Sequence, residues 1–193
     1  MSIYEEMNAK TQQHIEQTFL ALLAEKPFSK ISVRDITTKA ALNRGTFYLH
    51  YTDKFDLLAQ IEAHYLQRLA EISQAIEPSI VLQEARDGEL SQFSAQVFAY
   101  IASDFESFRV LLSAHNASGF ARRLQQQFKA QFLQKYAHTS FQQHRVPLHY
   151  VAAFAASAFL GMIEEWIQSD EQESPEQLAD YFVNTILLIK EYE

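Results

Sequence analysis

Arg44, Thr46, Tyr48 and His50 put a guanidinium, a hydroxyl, a phenol and an imidazole on one short stretch, Arg44 to Tyr51. Such groups donate to base edges and to phosphate oxygens, so a helix carrying them suits a DNA major groove. Arg44 can read a guanine edge, worth about 1–3 kcal/mol of discrimination, and Gly45 would let the backbone come close. No comparable cluster points to catalysis. The chain lacks a Gly-rich phosphate loop, a Gly-x-Ser-x-Gly elbow and a His-Glu-x-x-His pair, and Glu164-Glu165 reads as a solvated helix face. His138, His144 and His149 are spaced by six and five residues, which does not align them on one helix face. With no acidic ligand pattern beside them, neither a metal nor another cofactor is expected.

The formal net charge of −8 argues at first against a nucleic-acid partner, since phosphate contacts need Lys and Arg. Its distribution reverses that reading. Residues 10–52 hold six basic residues against three acidic ones, whereas residues 61–193 hold nine against seventeen. A locally basic head thus precedes an acidic body. With no cysteine, disulfides and thiolate metal sites are excluded. Met1-Ser2-Ile3-Tyr4-Glu5-Glu6 lacks the layout of a signal peptide, and the longest apolar run, Val151 to Ile163, reads as too short to span a bilayer. The expectation is a soluble cytoplasmic protein with no membrane partner.

The elements that must position Arg44–Tyr51 are helical. Four Gly and four Pro in 193 residues, with recurrent Ala, Leu, Gln and Glu, predict an all-α chain. Ile15, Phe19, Leu22 and Leu23 form the stripe of an amphipathic helix over 10–25, which Pro27 ends. Ser32-Val33-Arg34-Asp35 reads as a capping box, flanked by Ile31 and Ile36 as a hydrophobic staple, and opens a helix to about Ala40. Asn43 then caps a second short helix, Arg44–Tyr51, so residues 32–51 have the form of a helix-turn-helix. Phe47 is expected to pack against Ile36 and Leu57, with Leu49 partly exposed. Asp53-Lys54-Phe55-Asp56 caps a long helix running through Leu57, Leu58, Ile61, Tyr65, Leu69 and Ile76, until Pro78 and Arg86-Asp87-Gly88-Glu89 break the pattern. Further helices are expected at roughly 90–103, 104–114, 118–143, 147–168 and 175–191. Pro147 suits the first turn of one, and Ser174-Pro175-Glu176-Gln177 is a strong start for the last.

The run from Ser32 through Arg44-Gly45-Thr46-Phe47-Tyr48 to Tyr51, continued by Thr52-Asp53-Lys54-Phe55-Asp56-Leu57-Leu58, closely resembles the DNA-binding head of TetR/AcrR-family transcriptional regulators. The resemblance is strong over residues 9–69. Beyond them it rests on length, helical character and a Trp-containing penultimate helix. It implies an N-terminal three-helix helix-turn-helix head, 9–69, on a larger helical ligand-binding and dimerisation body, 70–193. In the family pattern, Arg44, Gly45 and Thr46 match residues at the groove floor or its edge, and Tyr48, His50 and Lys54 match residues that hold phosphates. Ser32, Arg34 and Lys39 complete the expected DNA-contacting set, although Arg34 and Lys39 read equally well as solvated charges. One departure is Ala41, where many relatives have Gly. Alanine is tolerable there only if the turn avoids a left-handed backbone.

The resemblance also implies a homodimer formed by the last two long helices, 147–168 and 175–191. The first offers Val151, Phe154, Ala155, Ala158, Phe159, Met162 and Trp166, with small residues Ala152, Ala156 and Gly161; the second offers Leu178, Phe182, Ile186 and Ile189. Dimerisation suits a pseudo-palindromic double-stranded operator, and the implied function is a repressor released by a small-molecule effector. The expected effector residues are Tyr100, Phe108, His115, Asn116, Phe128 and Trp166, though aromatic residues at helical spacing are more often plain core than a ligand cage. Because the head neutralises few phosphates, a regulator that acts through a protein partner with weak DNA binding is the competing reading.

Overall fold

The computed structural model describes residues 3–74, 92–113, 118–137, 146–169 and 173–191, with backbone alone for 92–93 and 186–191. Every regular element among them is helical. The chain divides into two compact units, residues 1–65 with 110–119, and residues 66–109 with 120–193. The expected boundary at 69/70 therefore falls inside the second unit, and the segment 110–119 belongs with the N-terminal residues.

In the first unit, α1 (Ile3–Glu25) buries Ile15, Phe19, Leu22 and Leu23. It starts earlier than the apolar stripe because Ile3 to Lys10 are all exposed, so helix-favouring Glu, Met, Ala and Lys carry that part, helped by a Lys10–Glu6 pair at 2.7 Å. A 3-10 turn (Phe28–Lys30) leads to α2 (Val33–Lys39). The capping box forms: the Asp35 N–H donates to Ser32 Oγ at 3.2 Å, and the Ser32 N–H donates to Asp35 Oδ2 at 2.8 Å. These bonds from Ser32, with Lys26 at 3.2 Å, push the Asp35 carboxyl down to about 2. Asn43 caps α3 (Arg44–His50), its Oδ1 accepting from the Thr46 N–H at 2.8 Å. Asp53 Oδ1 accepts from the N–H groups of Phe55 and Asp56, each at 2.8 Å, and opens α4 (Lys54–Gln74), which continues into the second unit. Glu62, buried on α4, accepts a hydrogen bond from the Ser118 hydroxyl within the first unit.

The turn between α2 and α3 does not avoid the left-handed region. Ala41 has φ 53°, the Leu42 N–H donates to Thr37 O at 2.9 Å, and the Ala41 N–H donates to Thr38 O at 3.2 Å. This is a Schellman closure, which places its first residue past the helix end in the conformation that favours Gly. Ala41 thus carries about 1–2 kcal/mol of backbone strain that a glycine would not.

The second unit contains α5 (Gln92–Ser103), most of α6 (Phe105–Leu111), α7 (Phe120–Tyr136), α8 (Leu148–Gln168) and α9 (Pro175–Glu191). α7 packs on α8, and α5 on α9. Phe159 sits among Phe98, Phe128 and Phe182, with ring centroids 5.3, 5.1 and 4.9 Å away. Trp166 meets Phe98 and Phe105 edge-on at 5.9 and 5.2 Å. α7 ends at Tyr136, not 143; residues 120–146 contain neither Gly nor Pro, so no punctuation marked the stop. Pro147 is the N-cap of α8, one place before its first turn, and Ser174 and Gln177 form the expected reciprocal cap of α9 at 2.9 and 3.3 Å. α8 is long and apolar enough, by length and composition, to cross a membrane, in contrast to the shorter run Val151–Ile163. An amphipathic core helix with an exposed apolar stripe meets the same criterion. Pro78 and the Arg86–Glu89 break, with His138 and His144, lie outside the described residues.

Candidate nucleic-acid interface

Phe47 is the anchor of α3. It is 0% exposed and lies 5.7 Å from the Tyr51 ring, itself buried as the C-cap. Ile36 and Leu57, its expected neighbours, are also fully buried. With about 100° between successive helical residues, Gly45 and Leu49 lie opposite Phe47, flanked by Arg44 and Tyr48 on one side and by Thr46 and His50 on the other. Exposure follows this geometry: Arg44, Gly45, Tyr48 and Leu49 are exposed, while Thr46 and His50 are half-buried.

Gly45 has a local reason besides close approach. A Cβ there would lie 3.1 Å from Asn43 Oδ1, crowding the amide that caps the same helix. The far end of the helix is held by long-range bonds. Tyr51 Oη donates to Glu16 Oε1 at 2.7 Å, and Gln12 Nε2 donates to the same oxygen at 3.0 Å. Burial, then Glu16, pushes the Tyr51 phenol far above its ordinary value, so it stays a donor. His14 Nε2 lies 3.0 Å from Ala40 O and ties α1 to the end of α2. Glu16 and His14 gave no signal in the sequence, because their partners are 35 and 26 residues away.

The remaining expected contacts separate into free and engaged groups. Ser32, exposed just before α2, is engaged with Asp35 in the capping box, while Arg34 is exposed on α2 with no ion pair among the described residues. Lys39, by contrast, pairs with Glu25, as Lys26 does with Asp35. Lys54 is more deeply committed: its Nζ donates to Phe28 O at 2.9 Å and Ile31 O at 2.7 Å, and sits 4.5 Å from the Phe28 ring centroid. It fastens the 3-10 turn to the start of α4. Lys30, Arg34 and Arg44 are the cations of residues 10–52 that carry no ion pair among the described residues, apart from the carbonyl-bound Lys54 beyond them.

Residues 19–61 match the profile of bacterial regulatory proteins of the tetR family, and residues 88–187 match that of a transcriptional regulator C-terminal region. The chain belongs to the TetR family of transcriptional regulators. A Bacillus subtilis helix-turn-helix regulator, YxbF, is 26% identical over 188 residues, covering 95% of this chain and 46% of YxbF. The chain spans less than half the length of the curated relatives it matches. Among solved structures, NalD of Pseudomonas aeruginosa, a secondary repressor of the MexAB-OprM multidrug efflux pump, superposes with a TM-score of 0.69 at 17% identity, covering 95% of this chain and 96% of NalD. The dihydroxyacetone kinase operon activator DhaS superposes with a TM-score of 0.59 at 20% identity, covering 93% and 95%. These likenesses establish the fold.

Tyr100, Phe108, Phe128 and Trp166, expected to meet an effector, belong to the second unit. Tyr100, half-buried on α5, meets the fully buried Phe108 edge-on at 5.6 Å. Burial and then Asp104 push the Tyr100 phenol up to about 12. Phe128 and Trp166 are buried and belong to the aromatic cluster around Phe159 and Phe98. Trp166 Nε1, Gln131 Oε1 and Ser73 Oγ are buried without a hydrogen-bond partner among the described residues. His115 and Asn116 lie outside those residues. On α8, Tyr150, Phe154, Ser157, Ala158 and Gly161 are exposed along one side, and a Cβ on Gly161 would meet nothing within 4 Å.

Proposed function

We propose that this chain is a cytoplasmic homodimeric repressor that lays α3 into the major groove of each half of a pseudo-palindromic operator and is released by a small-molecule effector. The outward face of α3 carries the reading. Arg44, Gly45 and Tyr48 are presented together on a helix pinned by Phe47 and Asn43, and Arg34 on α2 carries no ion pair among the described residues. Ser32, Thr46 and His50 complete the contacts, whereas Lys39 and Lys54 act first within the head. The exposed stripe Tyr150, Phe154, Ala158 and Gly161 on α8 supports pairing with a second copy through α8 and α9. The unpartnered atoms at Trp166, Gln131 and Ser73 support an effector that supplies hydrogen bonds to the body, with Tyr100, Phe108 and Phe128 as apolar contacts. NalD, described as a repressor, guides the choice of sign.

The test is a site selection with the full chain followed by footprinting. A pseudo-palindrome is expected, with Arg44→Ala and Tyr48→Ala each losing binding while melting like the parent. Failure of the parent to bind any DNA at low salt overturns the reading. A second reading is favoured by the engagement of Lys10, Lys26, Lys39 and Lys54, which leaves few cations for phosphates. In it the chain works through a protein partner, as an activator, the sense in which DhaS is described. Salt dependence of binding separates the two, since a DNA-binding dimer loses affinity steeply with added salt.

A further inference from the structure

Leu49 is 82% exposed at the most outward point of α3. A single exposed leucine is ordinary on a protein surface. Its position here is informative because of what shares the ridge. Directly opposite the buried Phe47, the helix offers only Gly45, which has no side chain, and Leu49; every hydrogen-bonding group of α3 stands on a flank. A helix inserted with this ridge foremost therefore brings an apolar tip to the floor of the groove. On that floor the bases display donors, acceptors and one apolar group, the C5 methyl of thymine.

We propose that Leu49 reads a thymine methyl in each operator half-site and so determines part of the sequence specificity. The inference rests on the reading of α3 as the recognition helix. Arg44 and Tyr48 on one flank, and Thr46 and His50 on the other, supply polar and phosphate contacts, while Leu49 excludes water from the methyl and discriminates against bases that present a polar edge at that place. Leu49 makes no contribution to the core, so its replacement leaves the head folded.

The experiment uses the selected operator and the full chain. Each thymine of a half-site is replaced in turn by deoxyuridine, which removes the methyl and keeps every hydrogen-bonding group, and affinity is measured by fluorescence anisotropy. The parent should lose about three- to tenfold at one thymine per half-site. Leu49→Ala should bind the thymine and deoxyuridine operators equally, with an unchanged melting temperature. Deoxyuridine that weakens parent binding at no position, or that still weakens binding of Leu49→Ala as it does the parent, overturns the proposal while leaving the recognition helix intact. Absence of any DNA binding by the parent overturns both.

Discussion

In the unit built on residues 1–65, helix starts are closed by neighbouring side chains: Ser32 with Asp35, Asn43 with Thr46, and Asp53 with Asp56. Long-range polar bonds then tie the pieces together, from Tyr51 to Glu16 and from Lys54 to Phe28 and Ile31. The unit holding residues 66–109 and 120–193 is organised by rings around Phe159 and Trp166, and leaves Ser73 Oγ, Gln131 Oε1 and Trp166 Nε1 buried without partners among the described residues. A reading helix needs a fixed angle, which directional bonds supply. Aromatic packing is less directional, and unpartnered polar atoms are where an added molecule gains most, because a buried group left unsatisfied costs about 1–3 kcal/mol. The contrast separates a head closed by directional bonds from a body closed by ring packing.

If the head is held by directional bonds, removing one should cost far more than removing a polar group from the body. Lys54→Met keeps the aliphatic stem but takes the charged donor from the Ile31 carbonyl and leaves the Phe28 carbonyl with the Ile31 N–H alone, and should destabilise the head by about 2–3 kcal/mol in urea unfolding. A loss under half of that breaks the comparison. Ala41→Gly should act in the opposite direction, raising stability by about 0.5–1 kcal/mol, since the left-handed strain is removed at some cost in unfolded-chain entropy. Thermal melts of the two proteins check it. In the body, Gln131→Met removes an unpartnered oxygen at similar volume and should change stability by less than about 1 kcal/mol, with a neutral or stabilising sign. A large loss there would mean that Gln131 is satisfied as tightly as the head's caps.

The smallest expected effect is a pH dependence in the head. The Asp35 carboxyl is held at about 2, below its ordinary 3.8, by Ser32 and Lys26. A lowered folded-state value means that its contribution is complete above about pH 4 and is lost as pH falls toward 2. Asp35→Asn should therefore flatten the decline of melting temperature between pH 4 and 2, measured against the parent at each pH.

Much of the head was legible because caps are interactions between residues three apart. Ser32, Asn43, Asp53 and Ser174 all start helices where the sequence reading placed them. Helix ends were harder, as α7 shows by stopping at Tyr136 with no breaker residue near it. The site was legible as a set of side chains on α3, but the destinations of Lys39 and Lys54 were not, since each finds its partner in a distant part of the chain.

What the residues alone determined is the helical class, the capped pair of short helices and the concentration of cations ahead of an acidic body, because propensity, capping and charge are local properties. Packing decided which cations stay free, that Ala41 must turn left-handed, that Leu49 rather than a polar residue crowns α3, and that residues 110–119 join the first unit. Those outcomes depend on which surfaces meet, and a side chain's neighbours across 20 or more residues exist only once the helices have docked.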